Sequence, residues 1–207
     1  MQEAKAAFSE GIVAEVADGV MAVSEQDAYG GDVHELMEVM DTMMETVQVH
    51  MDEIEKPGQE ASLVKKVNKA VLTAGSNVLS ESRAESWADL PQADQAKTAT
   101  RLISTVEGSA FQVANTMKVP ETVVDVGINI VLEINVIKTG GSPPDIFFPR
   151  PEITEAANYG ERYGGPSWFG GGNSFVIPGN SIQELGIDGL ARVIFLTYNN
   201  LDKWLNQ

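Results

Sequence analysis

The hydrophobic period of this chain changes once, near Pro120, and that change limits the folds open to it. Before it, apolar residues recur at three- and four-residue steps, the spacing of one helix face. Ala4, Ala7, Phe8, Ile12, Val16, Val20 and Val23 form the first such stripe. Tyr29-Gly30-Gly31 breaks it, and Asp32 suits the N-cap of a second helix. Leu36, Met37, Met40, Met43, Met44, Val47 and Met51 line one side of that helix, with Pro57-Gly58 as its stop. A third stripe holds Leu63, Val64, Val67, Val71 and Leu72. A short amphipathic piece around Trp87 follows, and Pro91 opens a long helix through Ala99, Leu102, Ile103, Val106, Ala110, Phe111 and Val113 to Met117.

After Pro120 the apolar residues are mostly β-branched and largely alternate, from Val123 to Ile137, with Gly127 marking a bulge or turn. Residues 139–174 are rich in Gly, Pro and aromatics and read as loop. Phe175-Val176-Ile177 reads as a short strand, Asn180 to Leu185 as one helical turn, and Leu190 to Tyr198 as a strong strand. Helices first and strands second define an α+β chain with segregated parts. The expected division is a helical subdomain at 1–118 and a strand-built subdomain at 119–207. So few strands do not form a stable sheet alone and must cover themselves with helices or with further strands.

Charge and composition exclude several functions. Residues 1–60 hold fifteen Asp/Glu against Lys5 and Lys56, a balance of −13, whereas the other 147 residues contribute only −3. Phosphate recognition needs a basic footprint, so nucleic acid is excluded as a partner. With no cysteine there is no disulfide, thiol nucleophile or Cys-based zinc site. No run of about 18 apolar residues spans a bilayer, and no signal-peptide pattern opens the chain.

The motifs that carry chemistry are weak. His34 and Glu38 stand four apart on a helix with Glu35 and Asp41 nearby, but a metalloprotease helix would need a second His at position 38. His50 lies beside Asp52 and Glu53. Both read as imidazoles on a solvated acidic face. Gly164-Gly165 and Gly170-Gly171-Gly172 lack the Lys-Ser/Thr of a phosphate loop, and no G-x-S-x-G elbow occurs. Trp87, Trp168 and Trp204 read as packing anchors. No residue is assigned a catalytic, cofactor-binding or metal-binding role, and no cofactor is expected. An alternative use of the helices is as an acidic adaptor that takes a basic or amphipathic partner on an exposed face of Met37, Met40, Met44 and Met51.

One longer pattern stands out. From Trp87 to Ala114 the chain reads W-x-x-L-x-x-x-D-Q-x-x-x-A-x-x-L-I-x-x-V-E-x-x-A-F-x-V-A. This resembles the helical part of the GAIN domain of latrophilin-like adhesion G-protein-coupled receptors. Tyr29-Gly30-Gly31-Asp32, the stretch Asn129 to Val136, Gly179 to Ile182 and Gly189 to Phe195 resemble successive elements of the same domain. The resemblance implies a helical subdomain followed by the first strands of an incomplete β-sandwich. It also implies an extracellular, non-catalytic module that serves cell adhesion and receptor signalling, with the remainder of a receptor chain as its partner and no membrane contact of its own. In that family the sandwich ends in a self-cleavage site, His-Leu-Ser/Thr; here His34 precedes Glu35 and His50 precedes Met51. On this reading the chain is a fragment lacking the proteolysis site and the transmembrane region.

Overall fold

The computed structural model describes residues 2–26, 30–50, 57–150 and 174–205. The element order is α1 (Gln2–Ser24), α2 (Gly30–His50), α3 (Pro57–Val78), a 3-10 turn (Glu81–Arg83), α4 (Ala84–Ala88), α5 (Gln92–Thr116), β1 (Glu121–Val126), β2 (Ile130–Lys138), β3 (Ile146–Phe148), β4 (Phe175–Ile177), α6 (Gly179–Glu184), β5 (Leu190–Tyr198) and α7 (Asp202–Leu205). Helices thus come first and strands follow, as the change of period at Pro120 requires.

The bundle buries its stripes against itself. On α2, Met37, Met40, Met43 and Val47 are sealed inside, where the unbranched thioethers fill irregular gaps. Val64, Val67, Val71 and Val78 do the same on α3, and Ala99, Leu102, Val106, Ala110 and Val113 on α5. Small residues set the closest approach: a Cβ added to Gly75 of α3 would come within 3.0 Å of Leu102 Cδ1 and 3.2 Å of Ile130 Cδ1. Two arginines bind helix ends. Arg83 donates from Nη2 to the Ser24 carbonyl at 2.8 Å and to the Gln26 carbonyl, beyond the end of α1. Arg192 donates to the Ala114 and Met117 carbonyls at 2.8 and 3.2 Å, at the end of α5.

Three strands form an antiparallel sheet in the order β1-β2-β5, with Val123 opposite Ile134 and Ile134 opposite Ile194. Ile130, Leu132, Ile134 and Val136 turn one face of β2 into the helical core, joined by Leu190, Ile194 and Leu196 of β5. On the opposite face, Ile146, Ile182, Ala191 and Val193 form a second apolar cluster with Ile137, Ile177 and Phe195 beside it. The small β3-β4 sheet and α6 supply this second cover. Phe148 of β3 stacks on Phe195 of β5 with ring centroids 4.5 Å apart.

Several details differ from the sequence reading. The buried face of α1 is Val13, Ala17, Val20 and Ser24, which leaves Ile12, Val16 and Val23 exposed. Apolar residues occur around more of α1 than its neighbours cover. Helix α2 starts at Gly30, so Asp32 lies inside it and not at its cap. Pro57 opens α3 instead of merely ending α2, as suits a residue with no N–H to satisfy. Phe111 sits on the outside of α5. Ile146–Phe148, assigned to loop, pairs with β4. Met37, Met40 and Met44 are all buried, so the exposed methionine groove does not form. Met51, Tyr29, Trp168 and the glycine runs at 164–172 lie outside the described residues.

Gly75→Val is expected to cost about 1–3 kcal/mol, because the added methyls collide with side chains that are already close-packed. Urea midpoints for the two proteins measure it. An unchanged midpoint would show that the contact of α3 with α5 and β2 is loose.

Candidate functional site

The most organised polar assembly in the described structure is the seam that fixes the sheet to the bundle. Its centre is Asn129, buried in the turn between β1 and β2. The Asn129 amide donates to Ser76 Oγ at 2.8 Å, and its side-chain Nδ2 donates to the Ser76 carbonyl at 2.8 Å. The Asn199 backbone N–H donates to the Asn129 carbonyl at 2.8 Å. The Nδ2 groups of Asn199 and Asn200 donate to Asn129 Oδ1 at 3.1 and 3.3 Å, and Asn200 also reaches the Leu79 carbonyl at 3.2 Å. One amide therefore joins α3, the β1-β2 turn and the end of β5. Buried polar groups saturated in this way fix a single register between packed layers. Gly127 permits the approach, since a Cβ there would lie 2.8 Å from Ser76 Oγ.

An aromatic clamp sits next to it. The rings of Trp87 in α4 and Trp204 in α7 stack with centroids 5.0 Å apart and planes 10° from parallel. Trp87 is fully buried, and its indole Nε1 donates to the Val78 carbonyl at 2.8 Å at the end of α3. Both tryptophans act as the packing anchors expected of them.

A second polar group lies on the other face of the sheet. Glu133, in the middle of β2, is fully buried. Its Oε1 accepts from Arg150 Nε at 2.5 Å and from Asn135 Nδ2 at 2.8 Å. Arg150 Nη2 also donates to Thr122 Oγ1 at 2.8 Å and to Asn135 Oδ1. A carboxylate with no water needs such a partner. The pair ties the segment after β3 to β1 and β2. Sequence reasoning passed over these residues, although Glu133 and Asn135 at alternate positions of an otherwise apolar strand were a readable signal.

The sequence-flagged histidines take no part. His34 is exposed and lies 3.4 Å from Glu38 on the same helix face, and the side chain of His50 lies outside the described residues. Among the described residues no three or more His, Asp and Glu side chains gather as metal ligands. Two shifted groups border the seam. Burial raises the Asp125 carboxyl above its ordinary range, against the opposing pull of Lys69 and Lys65. Burial, aided by Glu107, raises the Tyr198 phenol. Both are consequences of packing the sheet on the bundle.

Fold and seam together define an α+β structural module, in which buried polar groups hold a helical bundle and an antiparallel sheet in fixed register. Comparison with known proteins gives the family. Residues 3–114 match the family model described as AGRL2-4 GAIN subdomain A, so the chain belongs to the GAIN family of adhesion receptors. It is 27% identical over 191 residues to Adhesion G protein-coupled receptor L1 of Bos taurus, an alignment covering 86% of this chain and 12% of that receptor. It is 26% identical over 182 residues to Latrophilin Cirl of Drosophila ananassae, covering 88% of this chain and 10% of that protein. The chain thus spans about a tenth of the length of these relatives.

Trp204→Ala is expected to cost about 3–5 kcal/mol, from lost burial and the cavity left behind. In the Trp87→Ala/Trp204→Ala pair the costs should fall short of additivity by about 0.5–1.5 kcal/mol, the worth of a stacked pair. Denaturant titration of the four proteins gives this coupling directly, and strict additivity would dissolve the clamp.

The folded state holds the Asp125 proton more firmly than the unfolded chain does, so this group costs stability as pH rises through the raised folded value. Asp125→Asn should raise the Tm in neutral buffer. The gain should shrink as pH falls towards the ordinary carboxylate value and vanish below it, where Asp125 is protonated in both states. A gain of the same size in acid and at neutrality would contradict this assignment.

Proposed function

We propose that this unit works on the extracellular side of a membrane receptor, as a rigid, non-catalytic platform between adhesive regions and a signalling part. Family membership carries the reading. It is supported by the relatives, whose names are those of adhesion receptors, and by the seam, which suits a load-bearing joint better than a binding pocket. The helical part, 1–118, serves as spacer and packing platform, and 119–207 as the opening strands of a sandwich. Strands β1 and β5 are both edges of their sheet among the described residues, and such edges favour pairing with further strands. The partner implied is the remainder of a receptor chain. Adhesion and signalling then belong to that whole. No His-Leu-Ser or His-Leu-Thr occurs in these 207 residues.

The test is a chimera in which this chain replaces the matching segment of the bovine receptor. The chimera is expected to reach the cell surface and to expose an epitope placed at its N-terminus to antibody on intact cells. Asn129→Ala combined with Trp204→Ala should cut that surface signal severalfold by loosening the joint. Staining that appears only after permeabilisation, or a surface level indifferent to the broken seam, would overturn the reading.

A further inference from the structure

The part of α1 that the bundle leaves uncovered forms one wall of an open cleft against α2. Its volume is about 490 Å³. Buried Val13 and Met43 line its base, and Ile12, Val16 and Val39, which are 44%, 37% and 43% exposed, line its sides. Glu35 and Glu38 stand on its α2 rim. The lining runs along α2 from Glu35 to Thr46, a length of about 16 Å at ~1.5 Å per residue, or three helical turns. Scattered exposed valines need no explanation, but here they converge on one concavity between two helices.

The charged residues that line the cleft, Glu35 and Glu38, have a single sign. Residues 11–50 hold nine Asp/Glu and no Lys or Arg. Two of the nine are turned to internal use: Asp41 pairs with Arg101 at 2.5 Å and Asp18 with Lys66 at 2.8 Å. Glu35 and Glu38 remain at the cleft, with His34 beside Glu38. An apolar concavity of Ile12, Val13, Val16, Val39 and Met43 with an acidic rim on α2 matches one kind of occupant, a helix with an apolar stripe flanked by Lys or Arg. A nucleic acid or an anionic lipid surface would be repelled.

We propose that the α1-α2 cleft docks a basic amphipathic helix of a partner protein. The occupant's apolar side chains enter between Ile12, Val16 and Val39, and its cations meet Glu35 and Glu38. The proposal rests on the cleft alone and stands apart from the receptor reading. Of the buried methionine stripe only Met43 reaches this cleft; Met37, Met40 and Met44 do not line it.

The probe is a fluorescein-labelled synthetic helix of Leu and Lys in amphipathic order. One control peptide carries Ser for Leu at equal charge, and another carries Glu for Lys. Fluorescence anisotropy should show saturable binding of the first peptide only. Val16→Ser/Val39→Ser should weaken it about tenfold, through lost apolar burial. Glu35→Gln/Glu38→Gln should weaken it about fivefold in low salt, and less as screening grows. Val49→Ser, at an exposed valine outside the cleft, should change nothing. Circular dichroism and urea midpoints confirm that each variant is folded. Methyl NMR of the unaltered protein gives an independent location, with peptide-induced shifts expected at Ile12, Val16 and Val39. Binding that ignores Val16→Ser/Val39→Ser, or tight binding of the Ser-for-Leu peptide, would reduce the contact to unspecific charge attraction and sink the proposal. Shifts confined to another surface would do the same. Sedimentation showing a dimer that Val16→Ser/Val39→Ser dissolves would make a second copy the occupant and overturn it.

Discussion

Seven consecutive residues of β2, Ile130 to Val136, are buried, and a strand buried on both faces requires cover on both sides. That requirement organises the rest of the molecule. On one side α3 and α5 must present a continuous apolar surface, which they do through Leu102, Val106 and the gap left by Gly75. On the other, β3, β4 and α6 must come back over β2 and β5. The two polar side chains within the strand, Glu133 and Asn135, can be tolerated only because Arg150 comes back with that second layer. Hydrophobic burial supplies the drive, and the polar contacts select one arrangement among many that would bury similar area.

The seam shows how that selection works. Apolar contact between a bundle and a sheet constrains sliding only weakly, since one methyl replaces another at small cost. Asn129 has no such freedom. Its amide and side chain are matched to the Oγ and carbonyl of a single residue, Ser76, and any shift would leave buried donors without acceptors. The stacked tryptophans and the binding of Arg192 to the end of α5 add two further fixed points from α7 and β5. With fixed points in α3, α4 and α5, the sheet cannot rotate on the bundle without breaking one of them. This rigidity is the property a spacer under load would use.

Much of the fold was legible because period is a local property. The β-branched and aromatic run Leu190–Tyr198 gave β5 with the bounds observed, and the three- and four-residue steps of α3 and α5 gave their buried faces. The failures have a common cause, which is that exposure depends on neighbours the sequence does not name. Helix α1 is apolar around more than half its circumference, so periodicity could not tell Val13 and Ala17 from Ile12 and Val16; packing on α3 decided it. Phe111 lies on the α5 face that no described element covers. Strand β3 has three residues between prolines and becomes a strand only by pairing with β4, nearly thirty residues on. The seam was harder still. Asn129, Ser76, Asn199 and Asn200 are scattered small polar residues with no motif, and only the hairpin brings them together. The family was legible from a different source, the long pattern between Trp87 and Ala114, in which apolar spacing and specific polar positions coincide.

The distribution of charge follows from the same construction. Where elements must be held together, cations are spent on internal partners: Arg83 on the end of α1, Arg192 on the end of α5, Arg101 on Asp41, Arg150 on Glu133, and Lys65 on Glu121 of β1 at 2.7 Å. Their positions in the chain are 65 and beyond, in or after α3. Helices α1 and α2 carry no Lys or Arg from residue 11 to 50, so the cations they meet, Arg83, Arg101 and Lys66, all come from later in the chain. The balance is −13 in the first sixty residues and −3 in the rest. It leaves the bundle's outer helices with an acidic field that falls off within about 10 Å at ordinary ionic strength. Any contact those helices make is governed at long range by that field and at short range by the valines and isoleucine between them.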